Sequence, residues 1–278
     1  MEQGRPRFSV RVENYIKYRP RYPQAVLDLL RQECQLAPEA VVADMGSGTG
    51  LLTELFLKNG NRVFAIEPDP AMRAAAEWLL RGYPGFTSIA ATAEATTLAD
   101  HSIDLLSAGQ AFHWFDLERA REEFQRILVP GGWVALVFNL QRTGGTPFLD
   151  ALEHFWQIYL TREGLETEAA SQDLTAYLQQ ANPVYRWRLS PELAGQELIA
   201  PLFRSGDYKL KTFENPQVCD YASLKGRVLS SGTAPEADHP RYAEMIAALE
   251  RLFQTYQVNG AVKIEYETRV YYGRLFNA

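Results

Sequence analysis

The sequence is poor in cysteine and lacks the spacings that would give its cysteines a structural use. Among 278 residues only Cys34 and Cys219 occur, and they form no Cys-x-x-Cys pair. Two isolated thiols argue against a disulfide scaffold and against a zinc site, which needs several ligands at regular spacing. The sequence therefore predicts a protein of a reducing compartment, without a metal centre.

Long apolar runs are also missing. The first 20 residues, MEQGRPRFSVRVENYIKYRP, are charged and hold no apolar segment of the kind that a signal peptide needs. No apolar stretch approaches the roughly 20 residues that cross a bilayer. We therefore expect a soluble, cytoplasmic protein with no membrane partner.

An excess of positive charge is the third feature that the sequence lacks. The formal net charge is -6, whereas proteins that bind nucleic acid in general use clustered Lys and Arg. We expect no nucleic-acid partner, although a local basic site stays open. The remaining composition, 46% hydrophobic and 22% charged, is ordinary for a globular chain. The length suits one α/β domain with a cap or an insertion.

The first half of the chain alternates short apolar runs with amphipathic segments. The apolar runs predict strands at residues 38–44, 62–67, 86–91, 103–108 and 133–138. The amphipathic segments predict helices at residues 49–59, 70–81 and 117–128. Asp69 would cap the second of these helices, and Pro-Gly-Gly at 130–132 would end the third. This alternation is typical of a parallel sheet with helices on both faces, which binds ligands beyond the carboxyl ends of its strands.

The second half loses this alternation. Helical spacing occurs at residues 149–160 and 238–256, and strand-like alternation at 207–214 and 261–272. Residues 161–201 have only weak periodicity. Because no repeat or low-complexity linker separates the halves, we expect a single domain over residues 1–278.

Three glycines follow the first predicted strand, in the sequence DMGSGTG that begins at Asp44. Glycine permits unusual backbone angles and lets a ligand approach the main chain closely. A plain tight turn is the simpler interpretation, but it does not require three alternating glycines. A dinucleotide site of the form Gly-x-Gly-x-x-Gly would need glycine at position 51 or 53, where Leu51 and Thr53 stand. The pattern present is Asp-x-Gly-x-Gly-x-Gly.

This pattern resembles the first motif of class I S-adenosylmethionine-dependent methyltransferases. Further segments similar to that family follow in order, namely IEPD at 66–69, TAE at 92–94, DLLSAGQAFHWF at 104–115 and LVPGGW at 128–133. Within the family the chain resembles type 11 methyltransferase domains and small-molecule enzymes such as trans-aconitate methyltransferase. The resemblance implies a doubly wound, Rossmann-like α/β fold with a seven-stranded sheet and a helical cap in the C-terminal half.

The resemblance also implies a division of the single domain. Helices at residues 1–36 would cover the cofactor, and residues 37–140 would form the cofactor-binding core. Residues 141–205 and 216–258 would be helical insertions on the acceptor side. Residues 206–215 and 260–274 would be the closing strands.

The cofactor implied by the resemblance is S-adenosyl-L-methionine, with S-adenosyl-L-homocysteine as its product. Asp44 would bind the methionine ammonium, and Glu67 would accept hydrogen bonds from the ribose hydroxyls. The other implied contacts are Gly46, Ser47, Gly48 and Gln110 at the methionine, Pro68, Asp69 and Met72 beside the adenine, and Ala93 and Glu94 at its edge. Simpler roles stay open, because Asp44 could cap a strand and Glu94 could be a charge at a helix N-terminus.

The N-terminal segment resembles the helix that lies over the cofactor in this family. Tyr15 and Tyr18 lie three residues apart and would share one helix face, and Pro20 would end the helix at Arg19. We expect Tyr18 or Arg19 at the cofactor's carboxylate and Tyr15 at the acceptor. A solvated basic helix face is the alternative.

His113 and Trp114 follow the fourth predicted strand, so they would face the transferred methyl group. His113 could act as a general base, or both residues could simply line the acceptor pocket. Similar pairs occur in family members that methylate small carboxylic acids. A carboxylate nucleophile needs no base, which favours the second interpretation.

The second half would select the acceptor, through Trp156 in an aromatic helix and Arg227 with Ser230 and Ser231. Further aromatic or basic candidates are Phe155, Tyr159, Tyr185, Arg186 and Trp187. We expect methylation of a small molecule at oxygen, either carboxylate or hydroxyl. Methylation at nitrogen or carbon, or of a macromolecule, is the first alternative. A nicotinamide-dependent oxidoreductase and a non-catalytic cofactor-binding protein are the others, and the oligomeric state is open.

Overall fold

The structure is a computed structural model that describes residues 9–160, 195, 199–203 and 207–275. Its α-helices are α1 (Val10–Tyr18), α2 (Gln24–Glu33), α3 (Thr53–Lys58), α4 (Pro70–Leu80), α5 (Leu117–Ile127), α6 (Pro147–Leu160), α7 (Tyr221–Leu229) and α8 (Tyr242–Tyr256). Its strands are β1 (Val41–Met45), β2 (Arg62–Ile66), β3 (Phe86–Ile89), β4 (Ile103–Gly109), β5 (Leu128–Gln141), β6 (Tyr208–Glu214), β7 (Gln217–Cys219), β8 (Val262–Ile264) and β9 (Tyr266–Arg274).

Seven strands form one mainly parallel sheet in the order β3-β2-β1-β4-β5-β9-β6. The five strands of the first half run parallel, and β9 runs antiparallel to both β5 and β6. Strands β7 and β8 pair separately as a two-stranded sheet. The order reverses between β1 and β4, which creates a crevice at the carboxyl ends of these two strands. The predicted doubly wound α/β sheet is thereby confirmed.

Hydrophobic side chains cover both faces of the large sheet. Alternate residues of β1 face opposite sides, so Ala43 packs with α5 on one face and Val42 packs with α2 and α3 on the other. A third cluster lies between α6, α7, α8 and the small sheet, around Leu152, Val228 and Leu249. Among the described helices none is both long enough and apolar enough to span a bilayer.

The Pro-Gly-Gly segment at 130–132 was predicted to end the helix before a strand at 133–138, but it lies inside β5. Helix α5 ends at Ile127, and β5 begins directly at Leu128 rather than at Trp133. Ile103 pairs with Leu128 and Leu105 pairs with Trp133, so an inserted bulge holds the three residues. Turn-forming residues were correctly recognised, but the partner strand that continues past them is a long-range feature.

The long strand predicted at 261–272 is two strands in different sheets. Strand β8 pairs with β7, whereas β9 pairs with β5 and β6, and the chain changes sheet at Glu265. Because both strands are extended, side chains alternate through the change and the sequence does not reveal it. Strand β7 was missed, whereas α7 lies within the helical insertion expected at 216–258. Helices α3 and α8 begin four residues later than predicted, at Thr53 and Tyr242.

Candidate functional site

The glycine loop, residues 46–50, connects β1 to α3 at the crevice of the sheet. Gly46, Gly48 and Gly50 have φ angles of +63°, +58° and +85°, a backbone conformation that favours glycine. A Cβ on Gly46 would lie 2.5 Å from the Cβ of Ala111, and a Cβ on Gly50 would lie 2.5 Å from Cδ1 of Leu80. A Cβ on Gly48 would meet no described atom within 4 Å. Two glycines therefore permit close packing, while Gly48 leaves open space in front of the main chain.

Glu67 follows β2 and lies directly beside the glycine loop. Its Oε2 accepts a hydrogen bond from the Gly48 amide at 2.8 Å, and its Oε1 accepts one from the Asp69 amide at 2.8 Å. The side chain is buried, and burial raises the pKa of its carboxyl. Each carboxylate oxygen can accept a further hydrogen bond, so a ligand hydroxyl is compatible with this arrangement.

Asp44 lies near the end of β1 and is held by two hydroxyl groups. Oδ2 accepts from Thr53 Oγ1 at 2.6 Å, and Oδ1 accepts from Ser107 Oγ at 3.0 Å. Only 1% of the residue is exposed, and burial raises the pKa of the carboxyl to about 6. A cation beside Asp44 would stabilise its ionised form, so the structural bonds and a ligand role are compatible. Ser47 contributes a buried Oγ that has no partner among the described residues.

Asp69 and Glu94 make structural contacts in the positions where cofactor contacts were predicted. The Asp69 carboxylate caps α4 by accepting from the amides of Ala71 and Met72 at 2.8 and 2.9 Å. Oε1 of Glu94 accepts from the Asp116 amide at 2.9 Å, which ties the segment after β3 to the start of α5. The capping predicted for Asp69 is confirmed. The neighbouring predicted contacts differ in exposure: Pro68 is exposed, Met72 half-buried and Ala93 buried.

Gln110 follows β4 at the crevice, with a φ angle of +58°. Its amide N–H donates to the Val137 carbonyl at 3.0 Å, and its Nε2 donates to the Asn139 carbonyl at 2.5 Å. The side-chain amide thus joins β4 to β5. Asn139 in turn donates from Nδ2 to the Pro20 carbonyl at 3.1 Å and accepts from Thr268 Oγ1 at 2.6 Å. It was missed as a site residue, and its place at the carboxyl end of a parallel strand was the available signal.

Tyr22 was also missed, although it lies against the crevice. A Cβ on Gly109 would be 2.6 Å from the Tyr22 hydroxyl, so this hydroxyl contacts the end of β4 closely. Burial, together with the charges of Tyr15 and Asp44, raises the pKa of Tyr22. Tyrosine in a segment between two helices is too common for the sequence to mark it. The structure brings it between the Asp44 side of the crevice and the N-terminal helix.

Arg19 follows α1 in an extended conformation, as expected for a residue before proline. Its Nε donates to Ser230 Oγ at 2.9 Å and its Nη2 donates to the Ser230 carbonyl at 3.0 Å. Its guanidinium lies 4.8 Å from the centre of the Tyr15 ring. The Tyr18 ring packs against Gly226, where a Cβ would overlap it. Both Arg19 and Tyr18 are therefore held against α7, and Arg19 is not part of a solvated basic face.

His113 and Trp114 form a short 3-10 turn with Phe112 after β4. Phe112 is fully buried and anchors the turn, and the His113 and Trp114 rings lie 5.0 Å apart between centres. Burial lowers the pKa of His113 to about 4, so its ring is neutral at physiological pH. Trp114 is 76% exposed and lies at the surface, which differs from the lining of a closed pocket.

Arg227 and Trp156, predicted separately as acceptor contacts, lie together. The Arg227 guanidinium is 5.5 Å from the centre of the Trp156 ring, and its Nε donates to the Tyr266 hydroxyl at 2.9 Å. Ser231 forms a hydrogen bond with the Thr233 hydroxyl at 3.1 Å. Phe155 and Tyr159 are buried in the third hydrophobic cluster, and the other candidates, Tyr185, Arg186 and Trp187, lie outside the described residues. The described part of the chain has no group of three or more His, Cys, Asp or Glu that could hold a metal ion.

Comparisons with known proteins agree with this geometry over the first half of the chain. Residues 43–136 match the family described as methyltransferase domain. An uncharacterized methyltransferase of Mycobacterium bovis is 37% identical over 132 residues, which are 48% of this chain and 51% of that protein. A malonyl-[acyl-carrier protein] O-methyltransferase of Methylococcus capsulatus is 30% identical over 166 residues, 54% of this chain and 57% of that protein. The chain thus spans about half the length of these relatives.

Solved structures extend the likeness to the whole fold. A protein described as a type II methyltransferase, from Anaeromyxobacter dehalogenans, has a TM-score of 0.59 at 22% identity, over 94% of this chain and all of that one. A protein described as a methyltransferase of an antibiotic biosynthesis pathway, from Anabaena variabilis, has a TM-score of 0.52 at 18% identity, over 88% and 96% of the two chains. These likenesses confirm the predicted fold.

Proposed function

We propose that this chain, whose residues 43–136 match the methyltransferase domain family, is a class I methyltransferase that transfers a methyl group from S-adenosylmethionine to a small-molecule acceptor. The observation that carries the proposal is the open space in front of the Gly48 main chain, beside the buried Glu67 carboxylate that accepts a hydrogen bond from the Gly48 amide. A nucleoside fits there because Gly48 presents bare main chain and Glu67 presents a carboxylate to hydroxyl groups.

Three further groups suit the methionine end of this cofactor. The Asp44 carboxylate would bind the ammonium, and the Ser47 hydroxyl, which has no partner among the described residues, can bond to a ligand. Arg19, which donates to Ser230, would bind the carboxylate of the cofactor's methionine. When bound, the cofactor supplies a methyl group on a positively charged sulfur, already activated for in-line displacement. The contribution of the chain is therefore mainly to position the acceptor.

Oxygen is the acceptor atom that we propose. The relative from Methylococcus capsulatus is named as an O-methyltransferase. The half-buried, neutral ring of His113 can donate or accept a hydrogen bond, but its low pKa makes it a poor acceptor of a full proton. A carboxylate acceptor is already ionised and needs no base. A cytoplasmic location belongs to the proposal, because Cys34 and Cys219 are both buried free thiols.

Calorimetric titration with S-adenosylhomocysteine tests the proposal, with NAD as a parallel ligand. We expect roughly micromolar binding of the first and none of the second. Glu67→Ala should weaken binding by about 1–3 kcal/mol, the usual cost of losing hydrogen bonds to a charged group. Binding of NAD instead, or an unchanged affinity in Glu67→Ala, would contradict the assignment of this site.

A further inference from the structure

Arg19 and Arg227, here called the arginine pair, lie together without a carboxylate partner among the described residues. Arg19 donates to Ser230, and the Ser230 hydroxyl donates to the Arg227 carbonyl at 2.7 Å. Burial and the neighbouring charge of Arg227 lower the pKa of Arg19 to about 10. The two guanidinium groups of the arginine pair are thus close enough to influence each other, and their hydrogen-bond acceptors in the described chain are the neutral oxygens of Ser230 and Tyr266.

Two other arginines beside buried groups, Arg269 and Arg126, have carboxylate counterions. Arg269 is 7% exposed and forms an ion pair with Glu267. Arg126 forms an ion pair with the buried carboxylate of Glu123 at 2.7 Å. Arg227 is 9% exposed, yet its hydrogen bond goes to the Tyr266 hydroxyl. A buried charge without a counterion is costly, so the missing partner of Arg227 is expected to be a ligand.

Trp156 supplies an independent indication at the same place. Its Nε1 is buried and has no hydrogen-bond partner among the described residues, although the Arg227 guanidinium lies 5.5 Å from its ring. An indole N–H is a donor only, and guanidinium groups are donors only. The cluster thus offers several donors and needs an acceptor-rich, negatively charged group. A planar carboxylate matches the planar guanidinium fork better than a tetrahedral anion does.

The cluster is continuous with the proposed cofactor site. Arg19 follows α1 and is close enough to Arg227 for their charges to interact. Tyr22 lies three residues after Arg19, and its hydroxyl contacts Gly109 at the end of β4. A ligand held at Arg227 would therefore lie on the methionine side of the crevice, where the methyl group is transferred.

We propose that Arg227 and Trp156 bind a carboxylate of the methyl acceptor. This inference rests on the proposed function, which makes Arg19 the partner of the cofactor's own carboxylate and leaves Arg227 for the second substrate. The acceptor is accordingly a carboxylic acid, and Arg227 determines the preference for an acid over the corresponding amide.

Nuclear magnetic resonance of the S-adenosylhomocysteine complex tests the site with acetate as the probe. Acetate is added against chloride at constant ionic strength, and the Trp156 Nε1–H and Arg227 Nε–H signals are assigned with Trp156→Phe and Arg227→Lys. We expect both signals to shift in a saturable way. Arg227→Gln should weaken acetate binding roughly tenfold or more, because a charge-assisted hydrogen bond is lost. The more conservative Arg227→Lys should weaken it less.

Arg81 and Trp78 provide a matched control far from the arginine pair in sequence. The exposed Arg81 guanidinium lies 3.7 Å from the centre of the Trp78 ring. The Trp78 Nε1–H signal therefore reports unspecific binding of acetate to an arginine that stacks on an indole ring. Arg81→Gln should leave the Trp156 response unchanged. A response at Trp78 equal to that at Trp156, no saturable response at Trp156, or an undiminished response in Arg227→Gln would each overturn the carboxylate site. Stronger binding of phosphate than of acetate would do so as well.

The same spectra separate this inference from the proposed function. S-adenosylhomocysteine should shift the Gly48 and Ser47 amide signals whether or not acetate binds. If these signals respond but Trp156 does not, the cofactor assignment stands and the carboxylate site is wrong. If they do not respond, the proposed function fails at its first step.

Discussion

The glycine loop and the arginine pair are the two candidate binding regions of the molecule, and they consist of different groups. The loop is main chain: its Gly48 amide meets Glu67 only 19 positions away, and its open space exists because a side chain is absent. The arginine pair is formed by side chains, and Arg19 donates to Ser230, which is 211 positions away in the sequence. Its positive charge is not neutralised by a carboxylate among the described residues. The glycine loop would therefore recognise a ligand by its shape, and the arginine pair would recognise a ligand by its charge.

This contrast has a consequence for what each region can tolerate. A main-chain site depends on backbone angles, so a single Cβ in the wrong place removes it. A charged side-chain site depends on a few donors, so substitutions there change which ligand is preferred while leaving the fold intact. The segment matched by the methyltransferase family, residues 43–136, contains the glycine loop but neither member of the arginine pair.

The largest effect is expected from filling the open space of the loop. Gly48→Val places a branched side chain at a φ angle of +58°, in the space where no described atom lies within 4 Å. The variant should lose S-adenosylhomocysteine binding by roughly a hundredfold or more, that is by about 3 kcal/mol, since ligand and side chain would compete for one volume. Calorimetric titration measures the loss.

Gly260→Val is the matched control for backbone strain. Gly260 has a φ angle of +78°, and a Cβ on it would also meet no described atom within 4 Å, but it lies in the turn before β8. Both variants should lose about 1–3 kcal/mol of stability, the range for a residue held in an unfavourable conformation. Equal loss of ligand binding in the two variants would show that strain, rather than occupied space, is responsible.

The next effect concerns Asp44 and is visible as a dependence on pH. Its folded-state pKa of about 6 lies above the ordinary value of 3.8, so its contribution to stability is fully present below pH 3.8 and is lost as the pH rises through 6. Asp44→Asn cannot ionise. Its free energy of unfolding relative to wild type should therefore rise by about 2 kcal/mol between pH 4 and pH 7. Denaturant unfolding at several pH values measures this difference.

Ligand binding should show the opposite trend at Asp44. If Asp44 pairs with the ligand's ammonium, the wild-type affinity for S-adenosylhomocysteine rises with pH up to about 6, because only the ionised carboxylate attracts a cation. Asp44→Asn should bind more weakly above pH 6 and lose this trend. A parallel pH dependence in wild type and variant would assign the trend to another group, such as Glu67, and leave Asp44 with a structural role.

Sequence reasoning predicted the large sheet and the loop because both are encoded locally. Asp44, Gly48 and Glu67 lie within one strand–helix–strand unit, where spacing in sequence translates directly into spacing in the fold. The same reasoning could not show that Arg19 and Arg227 meet, since each lies at the end or in the interior of an ordinary amphipathic helix. Their meeting depends on how α1 packs against α7.

The partners of individual side chains were likewise not predictable from the sequence. Gln110 was predicted at the methionine, but its amide donates to the Asn139 carbonyl of the neighbouring strand. Asn139 and Tyr22 were missed because neither stands in a motif. Sheet edges place residues near a ligand, but the direction of a side chain is decided by partners that are distant in sequence.

The smallest effect is expected at His113, which lies in the short turn after β4. With a pKa lowered to about 4 by burial, its ring signal should not titrate between pH 5 and pH 8, in contrast to an ordinary histidine near 6.5. Since a neutral ring of low basicity positions an acceptor rather than removing its proton, His113→Asn should slow methyl transfer less than about tenfold. The rate is followed by transfer of labelled methyl from S-adenosylmethionine to carboxylic acids. A loss of roughly a hundredfold, with a pH profile that changes in the variant, would instead make His113 the general base and would extend the acceptor class to neutral hydroxyls.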